Sequence, residues 1–299
     1  MAHSSGIFSM AGARAVITGS TKGIGLATAK EFLLLGASVV LVSRSAADVD
    51  ALVKELTAAG HGGHVFGCAA DVSSAEGRAT LVEFATATFG GELDVLVNNV
   101  GVNIRARQED QTEEQYRTMM RTNLDSCYFL CKAFYASLAR SAAAQTAKRL
   151  TSASGGSEGG GSVQRVGVPA VVNVSSAAGL VSTGTGACYG MTKAAMVQLT
   201  RSLACEWARD GIRVNCVCPW MTMTPMLADA VKDDPSALDK VKAATPLCNG
   251  PAQRLPAPEE SASTIAFLCM AAASFISGQT VSVDGAFSAN GFLGPCVEP

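Results

Sequence analysis

A tyrosine and a lysine four residues apart, Tyr189 and Lys193, share one face of any helix that carries them, with Cβ atoms about 5–6 Å apart. An ammonium beside a phenol favours the phenolate, and a phenol so tuned can protonate a ketone oxygen and recover the proton in reverse. Upstream, Asn173-Val174-Ser175-Ser176 reads as a strand end, where the Ser176 hydroxyl could hold a substrate carbonyl. A second constellation, Thr18-Gly19-Ser20-Thr21-Lys22-Gly23-Ile24-Gly25, follows the first apolar run. Its glycines allow a tight turn and close approach of a pyrophosphate to a helix N-terminus. Each signal alone has a plain structural reading. Serines at strand ends form turns, and glycines also serve ordinary strand-to-helix connections.

The second apolar run ends Val42-Ser43-Arg44. An acidic side chain here would bind the adenosine ribose hydroxyls of NAD. A hydroxyl and a guanidinium, with Lys22 in the Gly-rich turn, suit the 2′-phosphate of NADP(H) instead. No metal site is expected: His61 and His64 sit in a Gly-flanked turn without a convincing third ligand.

Runs of apolar residues alternate with amphipathic stretches, which is how a parallel sheet with crossover helices reads. Strands are expected at 15–17, 38–42, 65–71, 95–97, 170–174, 213–218 and 280–283. Helices are expected at 23–35, 48–59, 74–89, 189–209 and 258–270. Thr112 to Gln115 has capping-box spacing and opens a further long helix, continuing past Asn123 to about Arg140. The fold class is α/β, a doubly wound parallel sheet of Rossmann type, in a single domain over residues 1–299. Ser141 to Gly167 breaks the rhythm: it starts Ala-rich and becomes Gly/Ser-rich. It is expected to be a flexible surface insertion leaving the N-terminal edge of a strand, away from the ligand-binding edge.

The 299 residues are 48% hydrophobic and 16% charged, against about 25% charged in an average soluble domain. With 23 basic and 25 acidic residues, there is no basic footprint for nucleic acid and no polybasic membrane patch. Sparse charge leaves uncharged surface for subunit contacts, and a homodimer or homotetramer is expected. The ten cysteines include no C-x-x-C pair; Cys216 and Cys218 alternate along an expected strand and point to one buried face. A reducing, cytoplasmic setting is expected: Met1 to Ala13 lacks signal-peptide blocks, and Ile265 to Ile276 is too short to span a bilayer.

Taken together, these motifs resemble the short-chain dehydrogenase/reductase family. Thr18 to Gly25 is similar to its T-G-x-x-x-G-x-G turn, and Asn98-Asn99-Val100-Gly101 to its N-N-A-G element with valine for alanine. Asn123, Ser176, Tyr189 and Lys193 match its catalytic tetrad in order and spacing. The resemblance implies that Tyr189 is the general acid/base and that Ser176 orients the carbonyl. It also implies that Lys193 binds the nicotinamide ribose and tunes the tyrosine, and that Asn123 holds a water in a proton relay. The implied cofactor contacts are Gly19, Thr21, Lys22, Gly23, Ile24, Gly25, Ser43, Arg44, Asp71, Val72, Asn99, Val100, Gly101, Tyr189, Lys193, Pro219, Thr222 and Thr224.

Within the family, Asn98 to Arg105, Leu199 to Ala204 with Glu206-Trp207-Ala208, and Val283 to Phe292 are similar to tropinone-reductase-like enzymes. Two positions depart from the family pattern. Pro219-Trp220 stands for the usual Pro-Gly, and Asp284-Gly285-Ala286 has alanine for a second glycine, a change expected to matter little. Met221, Met223, Met226 and Leu227 fall where the family has a mobile substrate loop, and read equally as an adaptable lid or as core filler. Pro246, Pro251, Pro256 and Pro258 bound a loop that closes over substrate in such a lid. The expected activity is NADPH-dependent reduction of a small, largely apolar ketone, cyclic ones included. One alternative is a 3-oxoacyl-thioester reductase, whose acidic carrier-protein partner wants a basic patch; Arg105 and Arg107 are the candidates. The other is a non-catalytic NADPH sensor, which would have lost tetrad residues.

Overall fold

A computed structural model of the chain describes residues 6–154, 169–232, 234–251 and 253–291. Seven strands form one sheet: β1 (Arg14–Thr18), β2 (Ser38–Ser43), β3 (Val65–Ala69), β4 (Val95–Asn98), β5 (Ala170–Val174), β6 (Arg213–Pro219) and β7 (Thr280–Val283). All neighbours pair parallel, in the order β3-β2-β1-β4-β5-β6-β7. Alternate residues supply two cores, as the pleat requires. Ile17, Leu41, Val97, Val172 and Val217 face one way, packing with Phe32 and Leu33 of α1 (Gly23–Leu34), Leu52 and Leu56 of α2 (Ala46–Leu56), and Ile265 and Leu268 of α9 (Pro258–Cys269). Val16, Val40, Leu96, Val171 and Val214 face the other way. There they meet Leu81 of α3 (Ala75–Phe89), Phe134 and Leu138 of α5 (Ser126–Ser154), and Met196 and Leu203 of α6 (Ala187–Glu206).

The chain winds outward from β1 through β2 to β3, then returns to place β4 on the other side of β1. Strand order therefore reverses between β1 and β4, and a crevice opens outside their carboxyl ends, at Thr18 and Asn98. Both chemical constellations of the sequence lie at this edge of the sheet.

Three elements differ from the sequence reading. The helix expected to stop near Arg140 runs on through Ser154, because the Ala-rich stretch keeps a strong helix propensity. The start of the expected insertion is anchored by buried polar contacts. Ser141 is fully buried and donates to Asp94 Oδ1, and Gln145 Nε2 donates to the same oxygen at 2.9 Å. The Gly/Ser-rich remainder of the expected insertion, 155–167, lies outside the described residues. Second, two helices, α7 (Pro225–Val231) and α8 (Ala237–Ala243), stand where a loop was expected. Third, Ala286 adopts φ +69°, a left-handed backbone that costs an alanine roughly 1–2 kcal/mol. The departure at this position therefore carries a penalty.

Candidate active site

The Gly-rich turn is built by close backbone approaches. Gly19 and Gly23 have φ of +64° and +56°, and a Cβ on Gly25 would lie 2.2 Å from the Gly19 carbonyl oxygen. Ser20, fully buried, donates its N–H to Val42 O at 3.1 Å and accepts the Val42 N–H on Oγ at 2.8 Å, locking the turn to β2. From the other side of the crevice Asn99 Nδ2 donates to Thr18 O at 2.9 Å and Gly19 O at 3.1 Å. The Thr18 hydroxyl accepts the Asn99 and Val100 N–H groups. No side chain caps α1, so its first N–H groups face the turn unsatisfied. A glycine cradle at an uncapped helix N-terminus fits a pyrophosphate.

At the end of β2, Ser43 is half-buried and Arg44 exposed. The Asp71 carboxyl would be raised by partial burial. Hydrogen bonds from Ser73, at 2.7 Å from the hydroxyl and 3.0 Å from the N–H, and the charges of Arg44 and Arg121 hold it below the usual range. Val72, next to it, is buried. Lys22 and Thr21 lie in the turn, and Lys22 Nζ pairs with Asp48 Oδ2 at 3.3 Å in an exposed ion pair. This partner, two elements away in sequence, was not legible beforehand.

Asn123, Ser176, Tyr189 and Lys193 come from three segments, the last two both from α6. Between α4 (Glu113–Met119) and α5 a π-type turn at Met120–Asp125 widens the helix at Asn123. The buried Asn123 amide donates to Val102 O at 2.9 Å and Thr192 Oγ1 at 3.1 Å, and its Oδ1 accepts the Val102 N–H at 2.8 Å. With both amide hydrogens committed, the side chain works chiefly as a brace between the loop after β4 and α6. Ser176 lies two residues past the end of β5 and opens a 3₁₀ turn at Ala177–Gly179, where its hydroxyl accepts the Ala178 N–H at 3.2 Å. Lys193 is buried at 3% exposure; Nζ donates to Val174 O at 2.9 Å and lies 5.8 Å from the Tyr189 ring centroid. A Cβ on Gly101 would come within 3.2 Å of that Nζ, so the glycine leaves the amine open toward the crevice.

Further residues hold this arrangement and were missed by the sequence reading. The Ser175 hydroxyl donates to Lys193 O at 2.7 Å, and Gly179 has no Cβ where one would sit 2.7 Å from the Lys193 carbonyl carbon. The doubled serine was a signal for Ser175; nothing local marked Gly179. Cys188, beside Tyr189, is a neutral thiol pushed up by burial. Cys216 and Cys218 are buried on one face of β6 beside Val197, as expected.

Over the crevice, Pro219 ends β6 and Thr222 donates its hydroxyl to Trp220 O at 3.0 Å. Thr224 caps α7, and its methyl lies 3.2 Å from where a Gly23 Cβ would be, which brings the lid onto the Gly-rich turn. The lid has a small core of its own, Leu227, Cys248 and Leu255 with Met221 packed against it, while Met223 and Met226 are exposed. The methionines thus divide between filler and free surface. His61 and His64 lie at the opposite edge, before β3, and His64 Nδ1 is 3.0 Å from Ser38 Oγ. Among the described residues no cluster of three His, Cys, Asp or Glu could hold a metal, and no helix is long and apolar enough to cross a membrane.

Residues 13–155 match the short chain dehydrogenase family model, and residues 163–288 match a second model described as enoyl-(acyl carrier protein) reductase. A tropinone reductase homolog from Arabidopsis thaliana is 39% identical over 285 residues, 95% of this chain and 96% of that one. One from Datura stramonium is 36% identical over 286 residues, 96% of each chain. Among solved structures, a gluconate 5-dehydrogenase from Burkholderia cenocepacia in complex with NADP and tartrate superposes with a TM-score of 0.80. It is 27% identical and the match covers 96% of this chain and 100% of that one.

Proposed function

The chain belongs to the short-chain dehydrogenase/reductase family, whose members are oxidoreductases using a nicotinamide cofactor, and on that premise we propose that it reduces a small, largely apolar ketone with NADPH. The observation that carries the reading is Lys193. A buried ammonium is costly unless paired, yet among the described residues no carboxylate lies within ion-pair distance of it. Its neighbours are the Val174 carbonyl, the Met196 sulfur at 3.8 Å and the face of Tyr189. Such an amine is placed to stabilise a phenolate.

In this reading the Ser176 hydroxyl donates a hydrogen bond to the substrate carbonyl oxygen and Tyr189 Oη protonates it. Lys193 Nζ stabilises the phenolate left behind, and Asn123 holds the loop after β4 against α6. The Gly19 to Gly25 turn and the α1 N-terminus would hold the cofactor pyrophosphate. When bound, the nicotinamide supplies the hydride equivalent that the carbonyl carbon accepts. Ser43 and Arg44 would take the 2′-phosphate, which would compete with Asp48 for Lys22. Thr222 and Thr224 would meet the nicotinamide end. The partly exposed apolar lid suits an apolar ketone, and the NADP of the gluconate 5-dehydrogenase complex supports the cofactor choice. The acyl-carrier alternative is weakened because Arg107, half of the basic patch it wants, is paired with Glu109. A sensor reading finds no missing tetrad residue.

Cofactor oxidation against a panel of cyclic and acyclic ketones, run with NADPH and NADH side by side, tests the proposal. Turnover of apolar ketones with NADPH preferred supports it. Faster turnover with NADH at equal concentration overturns the reading of Ser43 and Arg44, and activity confined to acyl thioesters overturns the ketone.

A further inference from the structure

Trp220 stands where the family pattern has glycine, and the ketone-reduction chemistry above gives it no task. Its indole lies flat on Phe287, with ring centroids 3.6 Å apart and planes 7° from parallel. The indole N–H donates to Thr245 Oγ1 at 2.9 Å, and the Thr245 hydroxyl in turn donates to Val241 O of α8 at 2.7 Å. The Trp220 main chain is itself fixed, its N–H donating to Val283 O at 3.1 Å as a continuation of the β6–β7 pairing. One side chain thus joins the end of β6, the far end of the lid and the turn after β7.

That turn is built to receive the lid. Leu247 donates its N–H to Gly285 O at 3.1 Å. Gly285 has φ +58°, and a Cβ there would come 2.9 Å from Thr245 Cγ2 and 3.1 Å from Leu247 Cβ. Asp284 accepts the Ala286 N–H at 3.1 Å and the Ser288 N–H at 3.0 Å, stiffening the segment that carries Phe287. The near end of the lid has its own anchor, the Thr224 methyl against Gly23. Between the two anchors α7 and α8 rest mainly on the small core of Leu227, Cys248 and Leu255. The segment is therefore held at both ends along the carboxyl edge of the sheet.

We propose that Trp220 is a positioning residue that sets substrate size: with Phe287 and Thr245 it clamps the far end of the lid, restricting the site to small ketones. The size claim rests on the ketone-reductase reading; the clamp does not. The test uses the full chain with Trp220→Gly, which removes ring and donor, Trp220→Phe, which keeps a ring to stack, and Thr245→Val, which removes the hydroxyl that accepts from the indole and donates to Val241 O. In the absence of ligand, backbone hydrogen exchange over 225–249 should rise about tenfold or more in W220G, the loss expected for a buried hydrogen bond plus a ring stack. It should rise less in W220F and T245V, and exchange in β1, β4 and β5 should stay as in the wild type. With NADPH and a graded series of cyclic ketones, KM for the smallest should rise in W220G with kcat much less affected. The preference for small over bulky ketones should shrink about tenfold, and W220F should restore part of it.

Unchanged lid exchange in W220G overturns the clamp. A uniform rise across the sheet also overturns it, because that marks a general stability role. A looser lid with unchanged size preference overturns the specificity claim. If the wild-type protein reduces no ketone, the ketone reading and the size claim both fall, and the exchange data still decide the clamp.

Discussion

Arg44 stands exposed at the end of β2, with the Asp71 carboxylate as the charged group it acts on. A guanidinium in that position has donors to spare for a phosphate. Arg44→Ala should weaken NADPH binding by about tenfold, since the site is open to solvent, and leave NADH binding nearly unchanged. Titration calorimetry with both cofactors measures this, and equal losses for the two would contradict the assignment. At this scale the sequence was most legible where chemistry is local. Tyr189 and Lys193 are four apart on one helix, and the glycines of the turn adjoin one another. What stayed hidden were partners brought together by the fold: Lys22 with Asp48, Ser175 with the Lys193 carbonyl, Trp220 with Phe287. No spacing rule links residues on different elements.

Among the elements, the most consequential pairing sits at the edge of the sheet away from the crevice. Arg14 Nε donates to Asp94 Oδ2 at 2.8 Å, and the same carboxylate takes Ser141 and Gln145 of α5. Burial alone would raise the Asp94 carboxyl, but the hydrogen bonds from Arg14 and Ser141 outweigh it and hold the group below the usual range. A carboxyl depressed on folding contributes stability that is fully present above its unfolded value, about pH 4, and is lost as pH falls through the folded one. Asp94→Asn should therefore cost about 2 kcal/mol near neutral pH, below the ~3–5 of a fully buried pair because Arg14 is partly solvated. The variant should also lose part of the wild-type decline in stability below about pH 4, as read from urea unfolding at stepped pH. A wild-type-like acid limb in the variant would contradict this. The same contacts explain why the α5 boundary was misread: the Gly/Ser-rich run from Gly155 drew the Ala-rich stretch before it into one expected loop, while the buried Asp94 that anchors Ser141 and Gln145 lies far away in sequence, just before β4. The lid helices escaped notice because each has seven residues and proline or turn residues flank them.

For the whole molecule, the alternation of apolar strands and amphipathic stretches fixed the fold class correctly, since a doubly wound sheet needs strands buried on both faces. Tyr116 of α4, Tyr128 and Phe129 of α5, and Met191 of α6 are exposed. A groove between α5 and α6 is lined by Tyr128, Tyr135, Leu199 and Trp207. The wild-type chain should be a dimer or tetramer at micromolar concentration by light scattering, and Tyr128→Glu should shift it toward monomer. A monomeric wild-type protein would contradict the proposed assembly. The crevice between β1 and β4, the Gly-rich turn and the buried amine at its side are all products of this topology, and the central claim is that they serve proton transfer through Tyr189. The most direct test is Tyr189→Phe assayed for ketone-dependent NADPH oxidation alongside NADPH binding. Turnover should fall by at least about 10²-fold with binding within a few-fold of wild type; retained turnover would contradict the account.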